Sequence, residues 1–164
     1  MIKKDIVIGL GEIGLPILNL LSKKIKVDGF DKIEKRNTNN FSNIKNVEFI
    51  HVCIPFSKNF EKSVSQLTKK FNPDGIVIHS TISPNTTKKL QAKLDLPIIY
   101  SATRGVHKRM LKDLKRYTKF FAVYDYAPKS KWASQKFKNK LKKCDVKTKQ
   151  MSQPITLELA KVVC

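Results

Sequence analysis

Six residues, Gly9-Leu10-Gly11-Glu12-Ile13-Gly14, constrain this chain more than any others. Four β-prone residues, Asp5-Ile6-Val7-Ile8, run straight into them, and Ile13, Pro16, Ile17, Leu20 and Leu21 follow at helical spacing. A second strand, Ile25 to Phe30, ends on Asp31. The segment reads strand, glycine turn, helix, strand, acid. Each residue type has a reason to be there. Gly9 permits the tight turn, Gly11 removes a side chain where a pyrophosphate would meet the backbone, and Gly14 lets the helix pack on the sheet. The phosphates would face the helix N-terminus, and Asp31 can accept both hydroxyls of a ribose. The pattern predicts a dinucleotide site, with Glu12 and Ile13 in the turn and Lys32 beside the acid as further contacts. The acid favours NAD over NADP, while Lys32, Lys35 and Arg36 weaken that preference. A glycine turn that serves only helix packing is the alternative.

The following segments alternate strand and helix. Val47 to Ile54 is an apolar strand stopped by Pro55, and its continuous apolar character suits a parallel strand covered on both faces. Phe60 to Phe71 is an amphipathic helix with Phe60, Val64, Leu67 and Phe71 inward. Ile76 to His79 is a fourth strand, followed by a hydroxyl-rich loop in which Ser83 can cap a helix that carries Pro84 in its first turn and runs to about Leu94. Leu96 to Tyr100 is a fifth strand and Lys119 to Tyr124 a sixth. Lys131 to Lys143 is a lysine-dense helix with Trp132, Phe137 and Leu141 inward. Val146 to Met151 is a last strand, and Pro154 starts a helix with no stop signal before Cys164. This order implies an α/β fold: a Rossmann-type doubly wound parallel sheet in three layers, one domain over residues 1–153, with 154–164 as the start of a truncated linking helix. Loops at Gly9, Pro55, Thr81 and Ser101 should share the rim at the carboxyl ends of the strands.

Composition limits the partners. The net charge is +20 over 164 residues. Residues 1–100 carry 16 Lys+Arg against 9 acids, and residues 101–164 carry 17 against 4. The basic excess therefore lies mostly in the last third, where it can attract anionic nucleotides or other polyanions. Lysine dominates and aromatic residues are not interleaved at stacking intervals, so nucleic acid is disfavoured as the partner. No apolar run approaches a membrane span, no signal peptide is readable, and a cytoplasmic place is expected. Cys53, Cys144 and Cys164 have no metal-ligand spacing, so no metal site is expected. Cys53 reads as a buried strand residue, and His51 and His79 as structural residues within strands.

Together these residues carry a resemblance. Gly9-Leu10-Gly11-Glu12-Ile13-Gly14-Leu15-Pro16 resembles the GLGxxGLP opening of the UDP-glucose/GDP-mannose dehydrogenase family. Gly29-Phe30-Asp31, Val52-Cys53-Ile54-Pro55, Ser80 to Thr87, Tyr100-Ser101 and Glu158-Leu159-Ala160-Lys161 are similar to later family motifs and occur in family order. The match spans nearly the whole chain but only the family's N-terminal, NAD-binding domain. It implies Gly9, Gly11, Gly14 and Asp31 as dinucleotide contacts, Pro55 and Thr81 near the cofactor, Thr81 as the residue positioning a catalytic water, and Lys161 as the oxyanion stabiliser. A nucleotide-sugar or other anionic small molecule is the implied substrate, and homodimerisation through the C-terminal helix is left open.

Two departures bear on the chemistry. Ala102-Thr103 replaces the family's Pro-Glu, and the nucleophilic cysteine of the family belongs to a C-terminal domain that these residues do not include. The expectation is a domain not competent alone for the full oxidation. Arg104 and His107, on the loop after the fifth strand, are the local candidates for holding an anion and moving a proton, against the plainer reading of a basic surface loop. A single-step dehydrogenase using His107 is a further alternative. So is a non-catalytic dinucleotide-binding module whose basic last third holds a polyanion or partner.

Overall fold

The computed structural model describes residues 2–105 and 107–163, with the side chain of His107 outside the described set. The elements run β1 (Lys4–Ile8), α1 (Gly14–Ser22), β2 (Val27–Phe30), β3 (Val47–Val52), α2 (Phe60–Phe71), β4 (Gly75–Ile78), α3 (Thr86–Lys93), β5 (Ile98–Tyr100), α4 (Met110–Arg116), β6 (Lys119–Phe121), α5 (Ser130–Lys143), β7 (Thr148–Gln150) and α6 (Pro154–Val163). Short 3-10 turns lie at Glu34–Arg36 and His107–Arg109.

β1 to β5 form one parallel sheet in the order β2-β1-β3-β4-β5. Because successive side chains in a strand alternate between faces, the apolar runs divide into two cores. Val7, Phe49, Val77 and Ile99 face one layer, made by α1, α4 and α5. Ile6, Ile8, Ile50, Val52, Ile76, Ile78 and Tyr100 face the other, filled by Phe60, Val64 and Phe71 of α2, Leu90 of α3 and Leu157 of α6. Three layers result, with helices on both faces as the alternating pattern requires. No described helix is long and apolar enough to cross a membrane.

Two segments differ from the sequence expectation. The sixth strand ends at Phe121 and leaves the main sheet, pairing in parallel with β7 as a separate two-stranded sheet. Just past it, Tyr100 and Ala122 exchange two backbone bonds, 2.9 and 3.0 Å, in an antiparallel bridge. A chain running against β5 at that point cannot add a sixth parallel strand. The helix expected from Ser83 begins instead at Thr86. Asn85 adopts a left-handed φ of 72°, which breaks the helical path before it, and Ser83 serves only through its carbonyl, accepting the Thr86 hydroxyl at 2.7 Å.

The cap of α3 comes from far along the chain. Glu158 of α6, fully buried, accepts the backbone N–H groups of Asn85 at 2.7 Å and Thr87 at 2.9 Å. A carboxylate at a helix N-terminus satisfies orphan donors and opposes the positive end of the dipole. This bond fixes α6 to the body of the domain.

Candidate functional site

The strand order places a switch point between β1 and β3, because the chain leaves β1 toward β2 on one side and returns to β3 on the other. Crevices at such points, outside the carboxyl ends of the strands, hold ligands in open α/β sheets. The glycine turn lies at this crevice. Gly9 has φ +88° and donates to the Phe30 carbonyl at 2.8 Å, prolonging the ladder between β1 and β2. A Cβ on Gly14 would stand 1.6 Å from the Gly9 carbonyl oxygen, so α1 closes onto the turn only because that position is glycine. Gly11 is different. A Cβ built there meets nothing within 4 Å, so its lack of a side chain is unexplained by internal packing and leaves an open backbone surface.

α1 starts beside this surface without a side-chain cap and without an acid in its first turn. An anion placed there would meet the positive helix end unopposed by that helix's own side chains. Glu12 and Ile13 lie in the turn, with Glu12 exposed and Ile13 half-buried.

Asp31, 7 % exposed, stands across the turn from Gly11 at the end of β2. One carboxylate oxygen accepts the Leu10 N–H at 2.8 Å, and the other accepts the Ile33 N–H at 2.9 Å. The Arg36 guanidinium lies 3.6 Å away. Burial alone would raise this carboxyl, but the Ile33 and Leu10 N–H groups and Arg36 outweigh it and hold the group below the ordinary carboxylate range. The acid therefore stays ionised, with lone pairs left over for hydroxyl donors. Lys32 beside it is exposed, as is Pro55 after β3.

The loops after β3 and β4 are tied together. The Ser80 hydroxyl donates to the Ile54 carbonyl at 2.5 Å, and the Tyr100 hydroxyl donates to the Ser80 carbonyl at 3.0 Å. Thr81, the next residue, projects exposed from this tied rim. Cys53 follows β3 rather than lying inside it and is half-buried. Burial pushes its thiol up to about 12, only partly offset by Lys119, so it is a thiol and not a thiolate near neutrality.

A second depression opens next to the rim. A cavity of about 470 Å³ is lined by Leu114, Phe120, Met151 and Leu157 together with Arg104, Lys119 and Lys161. Lys161 Nζ donates to the Thr103 carbonyl at 3.0 Å. Arg104 and Lys161, singled out separately in the sequence, thus line one cavity, whereas Thr81 is not among its lining residues. The His107 side chain lies outside the described residues; its backbone begins the 3-10 turn that leads into α4.

Beneath the rim runs a buried polar chain that the sequence reading treated only as isolated structural histidines. His51 Nε2 lies 2.8 Å from an oxygen of Asp5, and its Nδ1 lies 2.9 Å from His79 Nε2. Lys140 of α5 holds the other Asp5 oxygen at 2.9 Å and Glu48 at 2.7 Å. Burial would raise the Asp5 carboxyl, but His51 and Lys140 pull it below its ordinary value. His79 is held well below the usual imidazole range by burial, with Lys119 and His51 adding to the effect, and is therefore neutral. The signal in the sequence was parity: Asp5, His51 and His79 are polar residues on one face of three adjacent strands.

No family model matches the chain, and no curated protein matches it. Solved structures do. A UDP-D-ManNAc dehydrogenase from Pyrococcus horikoshii superposes with a TM-score of 0.79 at 17% identity, over 98% of this chain and 49% of that protein. The chain has the fold these oxidoreductases share. An NDP-N-acetyl-D-galactosaminuronic acid dehydrogenase from Methanosarcina mazei Go1 gives 0.71 at 16% identity, over 99% of this chain and 46% of that one. A reductive aminase from Aspergillus terreus, solved with NADPH and ethyl levulinate, gives 0.69 at 10% identity over 99% and 60%. The chain spans about half the length of the dehydrogenases it matches.

Proposed function

We propose that this chain is the NAD-binding domain of a nucleotide-sugar dehydrogenase-like oxidoreductase. The observation that carries the reading is the open backbone at Gly11, framed by the uncapped start of α1 and the ionised Asp31, at the switch point of the sheet. The likeness in fold to two nucleotide-sugar dehydrogenases supports it. The residues fit the cofactor: Gly9, Gly11, Glu12, Ile13 and Gly14 present backbone and helix end to a pyrophosphate, and Asp31 accepts the ribose hydroxyls. Lys32 borders that ribose site, and Pro55 and Thr81 flank the crevice farther along the rim.

When bound, the nicotinamide supplies the hydride acceptor. The chain's own part is to hold it and to place charge. The tie from Ser80 to Ile54 and Tyr100 holds the Pro55 and Thr81 loops together, which supports the reading of Thr81 as the residue that orients a water or substrate hydroxyl. Lys161, whose Nζ donates to the Thr103 carbonyl, is the proposed stabiliser of a developing oxyanion, and Arg104 the proposed holder of an anionic group of the substrate. His107, whose backbone begins the turn leading into α4, is the proposed proton acceptor. Substrate oxidation is proposed for these residues together with a second half of the kind the matched dehydrogenases possess. The residues 154–164 are read as the start of the helix that would lead there.

The preference for NAD over NADP rests on Asp31, whose ionised carboxylate would repel a 2′-phosphate. Isothermal titration with NAD and NADP side by side tests the reading. Saturable NAD binding, with NADP at least tenfold weaker, is expected; no binding of either up to millimolar cofactor would refute it.

A further inference from the structure

Lys119 is a buried amine, and among the described residues no carboxylate forms a salt bridge with it. It is 7 % exposed. Its Nζ donates to the Ser101 carbonyl at 2.8 Å and meets the Thr103 hydroxyl at 3.4 Å. Both partners are neutral. Lys161 donates to the carbonyl of the same Thr103, so two amines from β6 and α6 converge on one residue. The acid that lines the cavity, Asp113, is engaged by Arg109 at 3.4 Å. The other groups close enough to influence Lys119 are the Cys53 thiol and the neutral His79.

A buried ammonium with a second cation nearby and no carboxylate in contact sheds its proton readily. Burial, with Lys161 adding to it and Cys53 opposing it, brings Lys119 down to about 7. A large fraction is then free amine at neutral pH, and a free amine is a nucleophile. The residue also has a place to act: Lys119 lines the 470 Å³ cavity together with the apolar Leu114, Phe120 and Met151 and with the basic residues Lys161 and Arg104.

We propose that this cavity binds a small carbonyl compound bearing an anionic group, and that Lys119 forms an imine with it. The nitrogen lone pair adds to the carbonyl carbon, the C=O π pair moves to oxygen, and one N–H proton passes to that oxygen to give a carbinolamine. The hydroxyl then leaves as water with a proton, C=N forms, and the second N–H proton is released. Amine and carbonyl become imine and water, with no oxidant or reductant. Lys161 and Arg104 hold the anionic group. The site shares Lys161 and Arg104 with the substrate site proposed above, and to that extent the inference rests on that reading.

The test uses glyoxylate as the probe, with cyanoborohydride to trap the imine as carboxymethyl-lysine, on the unmodified protein at about pH 7, followed by peptide mapping. Lys119 is expected to label at least tenfold faster than the exposed Lys62 and Lys69. The rate should rise through a midpoint near 7, and in Lys161→Gln that midpoint should move upward, since a neighbouring positive charge has been removed. Labelling of Lys119 no faster than Lys62 would overturn the proposal, as would a midpoint unmoved by Lys161→Gln. An NADH titration of the same preparation reads the dinucleotide site separately, so failure of one inference is distinguishable from failure of the other.

Discussion

Asp31 combines a structural role with the proposed binding role in the same carboxylate. Its two oxygens hold the Leu10 and Ile33 N–H groups, so the acid shapes the glycine turn before any ligand arrives. Asp31→Ala should therefore cost about 1–3 kcal/mol of stability, since one buried and one part-buried donor lose their acceptor, and should weaken NADH binding at least tenfold by fluorescence titration. Lys119 makes the opposite contribution. Its folded value of about 7 lies below the ordinary 10.5, so the unfolded chain binds more protons between those limits and the penalty for burying the amine shrinks as pH rises. Chemical denaturation of the wild type and Lys119→Met across that window should differ by a slope of about 1.4 kcal/mol per pH unit, with the variant lacking the rise. The glycine turn was legible because its demands are local: a positive φ, a close approach and an acid a fixed distance on. Lys119 was not. One lysine in a lysine-rich last third has no distinguishing neighbour in sequence, and its burial depends on β6 leaving the main sheet.

At the scale of elements, α1 and α3 show two ways to treat a helix start. α1 begins uncapped at the crevice, whereas α3 is closed by Glu158. Glu158→Gln keeps the size of the side chain but weakens two charge-assisted bonds, so a loss of about 1–2 kcal/mol is expected in urea denaturation. The α2 helix was read from its apolar spacing with both bounds as observed, Phe60 and Phe71. The start of α3 was misplaced because the sequence offered Ser83 and Pro84 as a local start signal, while the cap actually used lies some seventy residues away. Caps supplied across the fold leave no mark at the helix they close.

Across the whole molecule, the chain from Lys140 through Asp5 and His51 to His79 joins α5 to three adjacent strands. Its existence depends on the strand order and on the register that sets His51 beside Val7 and Val77. His79 is neutral in the fold and its value lies below the ordinary 6.5. The stability it contributes is complete above that ordinary value and is lost as pH falls below it, because the unfolded histidine then takes up a proton that the folded one refuses. The midpoint for thermal unfolding should fall on acidification through about pH 6.5, less steeply in His79→Asn.

The central claim is that Gly11 is glycine for a ligand and not for the fold. Gly11→Val tests it directly, because a Cβ at that position meets nothing within 4 Å beyond its own chain neighbours. NADH fluorescence titration of this variant beside the wild type, with the thermal midpoint of each, separates the two roles. The account predicts a midpoint near that of the wild type and NADH binding weakened at least tenfold. Unchanged NADH affinity in a stably folded Gly11→Val would contradict it.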